Sequence, residues 1–214
     1  WRGSMAGGLQ HPETIAPFVG GEAIQAARAL GDIDLTQTVV AEVLDLCRRR
    51  LAILGETPEA LRDLSVSLDN VGNVARARGR LDEAESAYRE SLELRRRLLK
   101  AVGETPEALR DLSVSLDNVG DVARARGRLD EAESAYRESL ELSRRLLAAV
   151  GETPEALRDL SVSLDNVGDV ARARGRLDEA ESAYRESLEL SRRLLAAVGE
   201  TPEALRDLSV SLDN

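Results

Sequence analysis

Histidine and cysteine are nearly absent from this chain: His11 and Cys47 are the only ones in 214 residues. A single cysteine excludes an intramolecular disulfide framework and fits a reducing compartment. One histidine and one cysteine leave too few ligands for a transition-metal site. Cys47 lies in an apolar-periodic stretch with no histidine nearby in sequence and reads as a buried structural thiol. No metal and no cofactor are therefore expected. Aromatic residues make up only 2%, so the core has to be leucine, valine and alanine, a palette suited to helices packed closely on helices. No apolar run approaches the roughly 18–20 residues that span a bilayer. The start Met5-Ala6-Gly7-Gly8 lacks the basic and apolar regions of a signal peptide. There is no phosphate-cradling glycine loop. Together these absences predict a cytoplasmic protein that is not an enzyme. Lys100 is the only lysine, which reads as the codon bias of a GC-rich gene.

Charge and repetition are abundant. Charged residues are 32% of the chain and the net charge is −10, which disfavours nucleic acid and anionic membrane as partners. The words Gly-Glu-Thr-Pro-Glu-Ala-Leu-Arg-Asp-Leu begin at Gly55, Gly103, Gly151 and Gly199, at one constant spacing. A fixed period of this size signals a stacked repeat array, in which each unit packs on its neighbours. Trp1–Ser4 read as vector-derived and residues 5–20, with Pro12 and Pro17, as a loose lead-in, so that 1–20 stand outside the array. Residues 21–54 align without a gap on the following unit and read as a degenerate N-terminal cap. Full repeats are expected over 55–102, 103–150 and 151–198, and a partial repeat, first helix only, over 199–214.

Each unit reads as two helices of about 20 residues. Thr57 is the expected N-cap, Pro58 the first helical residue and Glu59 a dipole partner. Leu61, Leu64, Leu68, Val71 and Ala75 form an apolar stripe, and Gly79 a stop. Asp82 is the expected cap of the second helix, whose buried side is Ala84, Tyr88, Leu92, Leu94, Leu98 and Leu99, with Gly103 as its stop. The short loops force antiparallel neighbours.

The stretch from Leu116 to Leu140 resembles a tetratricopeptide repeat, through Leu116, Val119, Gly120, Ala123, Gly127, Leu129, Ala132, Tyr136, Ser139 and Leu140. The match recurs at Gly72, Ala84 and Tyr88 and at Gly168, Ala180 and Tyr184. The resemblance implies an all-α, right-handed solenoid of antiparallel helix hairpins, in which Gly120 lets two helices approach, Ala132 fills their crossing and Tyr136 wedges between units. The 48-residue period and the motif Leu116-Asp117-Asn118 are similar to the long-repeat subclass of kinesin light chains, which implies a concave groove for an extended peptide or partner helix, lined by first helices.

The groove candidates are Asp69, Asn70, Asn73 and Arg76; Asp117, Asn118, Asp121 and Arg124; and Asp165, Asn166, Asp169 and Arg172, with Val66, Val114 and Val162 beside them. An asparagine ladder suits a peptide backbone because the amide both donates and accepts; an arginine ladder beside an aspartate ladder suits salt bridges between repeats equally well. Chaperone-binding members of the family hold an acidic C-terminus with lysine; aspartate stands at the corresponding Asp117 and Asp165, so a basic or neutral ligand is expected. Arg95-Arg96-Arg97 with Lys100 is the densest basic patch and reads as a dipole complement paired with acids one turn away, such as Glu93. The stripe Leu205, Leu208 and Leu212 has no second helix to cover it and predicts a concentration-dependent dimer. The leading expectation is a protein-interaction scaffold with a protein or peptide partner. The alternative is a self-assembling spacer or the regulatory region of a larger protein. Near-identical units also fit a consensus-type array, although the irregular segment before Gly55 favours recent duplication.

Overall fold

The computed structural model describes residues 12–199 and, beyond them, 201, 202, 205, 206, 208 and 209, with side chains described from residue 21. Among the described residues eight helices follow one another: α1 Pro12–Ala29, α2 Ile33–Leu54, α3 Pro58–Ala77, α4 Leu81–Val102, α5 Pro106–Ala125, α6 Leu129–Val150, α7 Pro154–Ala173 and α8 Leu177–Val198. Among the same residues there is no strand, and no helix is long and apolar enough to cross a membrane. The architecture is an all-α helical-repeat solenoid built from consecutive helix pairs. Contacts divide the chain into two compact units, residues 1–94 and 95–214, with the boundary inside α4.

Local chemistry sets the first helix of each pair. Thr57, Thr105 and Thr153 adopt extended backbone, and each side chain accepts from the N–H three residues on, at 3.2 Å. Pro58, Pro106 and Pro154 follow at the first helical position, where a missing N–H removes no intrahelical bond. Gly79, Gly127 and Gly175 end the first-helix turns at φ of +71° to +73°, a conformation costly for other residues. The second helices start differently from the expectation placed on Asp82. They begin at Leu81, Leu129 and Leu177, two residues before the start that a cap at Asp82 would give. Arg128 and Arg176 hold the cap positions with no side-chain cap bond, while Asp82, Asp130 and Asp178 lie in the first turn, facing the positive end of the dipole. The turn after glycine is too short to leave the aspartate outside the helix: the Arg128 N–H already bonds the Ala123 carbonyl at 2.9 Å.

Inside a pair, the apolar stripes meet. In unit 1, Leu61, Leu64, Leu68, Ala75, Ala84 and Tyr88 are buried. In unit 2, Ala123, Ala132 and Tyr136 pack with Val167 and Val170 of the next first helix, and Leu157, Leu160 and Leu164 pack with Leu190 and Leu194. A Cβ on Gly120 would stand 2.5 Å from the Tyr136 ring, and Gly72 and Gly168 face Tyr88 and Tyr184 in the same way. Behind these leucines in unit 2 runs a cluster of buried hydroxyls: Ser113 to Ser139 at 2.9 Å and Ser143 at 3.2 Å, and Ser163 to Ser143 at 2.9 Å and Ser139 at 3.4 Å.

Two further expectations change. The stretch read as a loose lead-in is helical from Pro12, where proline takes the first position of α1; residues 1–11, His11 among them, lie outside the described residues. The basic triplet is not one exposed patch. Arg95 stands where the other repeats have Ser143 and Ser191; it is buried and donates to the Asp111 carbonyl at 2.5 Å and to Ser115 at 2.9 Å. Arg96 pairs with Glu138 on the next second helix at 3.2 Å.

Candidate functional site

Of the residues proposed from the sequence, Val114, Asp117, Asp121 and Arg124 on α5 and Val162, Asp165, Asp169 and Arg172 on α7 stand at steps of three and four, with Asn118 and Asn166 each one residue after an aspartate. Such spacing puts them on one helical face. In unit 2 the structure ties the two helices together across this face. Arg124 on α5 forms an ion pair with Asp169 on α7. Asn166 donates its amide to Asp117 at 3.2 Å, and Arg110 donates Nε to Asp159 at 2.6 Å. Arg172 pairs with Asp169 within its own helix at 3.0 Å. Of the two readings of the ladder, salt bridging between repeats is therefore what Arg124 and Asp169 do.

The tyrosines join this network from behind. The Tyr136 hydroxyl donates to Asp121 at 2.8 Å, Tyr184 to Asp169 at 2.8 Å, and Tyr88 to Asn73 at 2.7 Å. Burial, and then the Asp121 carboxylate, push the Tyr136 hydroxyl well above its usual range, so it remains a donor at every physiological pH. Arg124 lies over the Tyr136 ring at 6.0 Å and Arg172 over Tyr184 at 5.5 Å. Sequence reasoning named the tyrosines as wedges and overlooked them as hydrogen-bond donors. The signal was available: Asn73, Asp121 and Asp169 are followed at one fixed distance by Tyr88, Tyr136 and Tyr184.

Asp117 is a strongly perturbed carboxyl of this face. Burial pushes it up to about 7, against hydrogen bonds from Ser139 and Asn166, and the carboxylates of Asp121 and Asp159 add to the rise. It borders a small cavity of about 130 Å³ walled by Val114, Val162 and Leu146. In unit 1 the corresponding place holds a cavity of about 160 Å³ bordered by Asn70, Val66 and Cys47. There Asn70 accepts from Arg28 at 2.8 Å and donates to the Val66 carbonyl at 3.1 Å. Asp69 is 8% exposed and belongs to the interior rather than to an open face. Asn118 and Asp165 are half-buried and Arg76 is exposed.

What the first helices of each unit leave open is apolar. Val66, Val114 and Val162 are 45%, 44% and 48% exposed, one per first helix at the same position. Cys47 is buried, and its thiol is pushed up mainly by burial and then by Asp63, the opposite of a reactive thiolate. Among the described residues no three His, Cys, Asp or Glu side chains converge to hold a metal ion. Of the proposed self-association stripe, Leu205 is exposed, Leu208 half-buried, and Leu212 lies outside the described residues.

Two family models, both described as tetratricopeptide repeat, match residues 65–107 and 111–193. The chain is a tetratricopeptide-repeat protein. No curated protein sequence matches it. Among solved structures it is similar to a putative kinesin light chain with nearly identical TPR-like repeats from Podosopora anserina, at 16% identity and a TM-score of 0.53, covering 96% of this chain and 88% of that one. It is also similar to BtubC (BKLC) from P. vanneervenii, at 16% identity and a TM-score of 0.53, over 94% and 89%. The de novo designed helical repeat protein DHR81 matches at 20% identity and a TM-score of 0.53, over 95% and 90%. At these identities the likeness is one of fold. Tetratricopeptide-repeat proteins are typically non-enzymatic, and this repeat array is a protein-interaction scaffold.

Proposed function

We propose that the first-helix face is the working surface of the scaffold and that it takes an extended peptide or a partner helix whose apolar side chains rest on the exposed valines. The observation that carries this reading is the exposed valine at one fixed position of each first helix, Val114 and Val162 in unit 2 and Val66 in unit 1. On the α5–α7 face the polar groups framing the valines are already engaged with each other. They therefore serve as a fixed frame, and apolar contact supplies the affinity. Aspartate stands at Asp117 and Asp165, where an acidic C-terminus would call for lysine, so the ligand is neutral or basic at this face. In the same reading α1 and α2 together cap the array, 55–198 form three hairpins, and 199–214 start a further first helix.

The test is a peptide-display selection on the immobilised protein, followed by calorimetry of the selected peptides. Val114→Glu with Val162→Glu is expected to weaken binding by roughly 30-fold, the size of a lost hot spot. Arg144→Ala with Arg185→Ala, on second helices, is expected to leave binding unchanged. Equal affinities for the valine variant and wild type would move the ligand off this face. A self-assembling spacer resting on the exposed Leu205 would instead show mass rising with protein concentration, reversed by Leu205→Ser.

A further inference from the structure

Repeats 2 and 3 are identical in sequence, and repeat 1 departs from them at only Asn73, Arg95 and Lys100. Asn73 stands where the others have Asp121 and Asp169. In unit 2 the crevice between α5, the start of α6 and α7 is bridged by the pair Arg124–Asp169. The corresponding crevice in unit 1 has Arg28 and Asn73 at these two places. The neutral amide draws no ion pair, and Arg28 turns to Asn70 instead, at 2.8 Å. A cavity of about 380 Å³ opens, with Arg28 and Asn73 on its border and Ile33, Val74 and Ala77 as apolar walls. That volume falls in the roughly 300–1,000 Å³ range of small-molecule sites.

We infer that this cavity, bordered by the groove candidate Asn73, is a binding site for a small carboxylate with a short aliphatic body. The donors decide the head group. The Asn73 oxygen is occupied by the Tyr88 hydroxyl at 2.7 Å, so the amide presents its NH₂ side as the remaining function. Arg28 spends one N–H on Asn70 and has further donors in its planar fork. The Thr36 hydroxyl hydrogen is committed to the Asp32 carbonyl at 2.7 Å and offers no donor. The neighbouring carboxylates are engaged elsewhere: Asp32 caps α2 through the N–H groups of Asp34 and Leu35, and Asp34 pairs with Arg78. An anion meets a guanidinium and an amide at one side and aliphatic carbon on the others; an ammonium group meets the like charge of Arg28.

The probe is hexanoate, titrated into isotope-labelled full-length protein and followed by amide resonances, with hexanol and hexylamine as the matched neutral and cationic probes. Hexanoate is expected to shift Thr36, Asn73 and Ala77 saturably, with a Kd of roughly 1 mM for so small a ligand. Asn73→Asp reproduces the residue already present in the other repeats, so it folds, and it supplies Arg28 with the bridge that closes the unit 2 crevice. It is expected to weaken hexanoate by about tenfold or more, as is Arg28→Gln. Val114→Glu is expected to have no effect on this site. Hexanol or hexylamine binding as well as hexanoate, an unaffected Asn73→Asp variant, or no saturable shift would each overturn the assignment.

Discussion

Asp117 shows how far a single position can depart from its description as a surface carboxylate on a charged helix. Its pKa in the folded chain is about 7 against an ordinary value of 3.8, chiefly because the carboxyl is desolvated. Between those two values the folded chain holds a proton that the unfolded chain has lost. The contribution is therefore stabilising at low pH and is lost as pH rises from about 4 to about 7. Asp117→Asn removes the titration, and the variant is expected to gain on the order of 2 kcal/mol over wild type between pH 5 and pH 8, read from urea unfolding at both pH values. A difference that does not change with pH would refute the assignment. The residue types of this face were legible from the repeat, and so was the stripe they form. Bridging between repeats was one of two readings, but the particular pairs were not legible: Arg124 meets Asp169, and Asn166 meets Asp117, across the whole of α6, and only the packed geometry of α5 on α7 sets those distances. Asn73 was visible as a letter, but its meaning needed the cavity beside it.

The helical element was the most legible level. Threonine caps, prolines at the first position and glycine stops fell where chain chemistry placed them, because each acts within a single helical turn. Asp82 misled because a good capping residue in the first turn looks in sequence like one just before it. The crossing of the two helices in a pair rests on Gly120 against Tyr136. Alanine normally favours a helix interior over glycine by roughly 0.5–1 kcal/mol. Here its Cβ would stand 2.5 Å from a ring that is fully buried and has no room to retreat. Gly120→Ala is therefore expected to destabilise by about 1–3 kcal/mol, the cost of overpacking. The double variant Gly120→Ala, Tyr136→Leu should recover part of that loss in the same unfolding assay. A Gly120→Ala protein as stable as wild type would mean that the crossing is looser than this contact requires.

At the scale of the molecule, an array built from copies makes position the main variable, because each repeat's stability is its own plus that of its interfaces. Tyr136 and Tyr184 are the same residue in identical repeats, and each donates its hydroxyl to an aspartate at 2.8 Å. They differ in what lies over them. Tyr136 is fully buried under Val167 and Val170, whereas Tyr184 is 8% exposed and, among the described residues, clusters with Ala171 and Ala180. The burial also separates their hydroxyls, since Tyr184 is pushed up only to about 12 and Tyr136 beyond that. Removing the ring at Tyr136 empties a space enclosed on both sides, and Tyr136→Ala is expected to cost about 3–5 kcal/mol. Tyr184→Ala opens a site already in contact with solvent, where the surroundings relax and less transfer energy is forfeited, so it is expected to cost about 2 kcal/mol less. Helical ellipticity through urea unfolding measures both. Equal losses at the two positions would mean that the α6–α7 interface adds nothing at Tyr136, and that stability here resides inside each hairpin instead of between them.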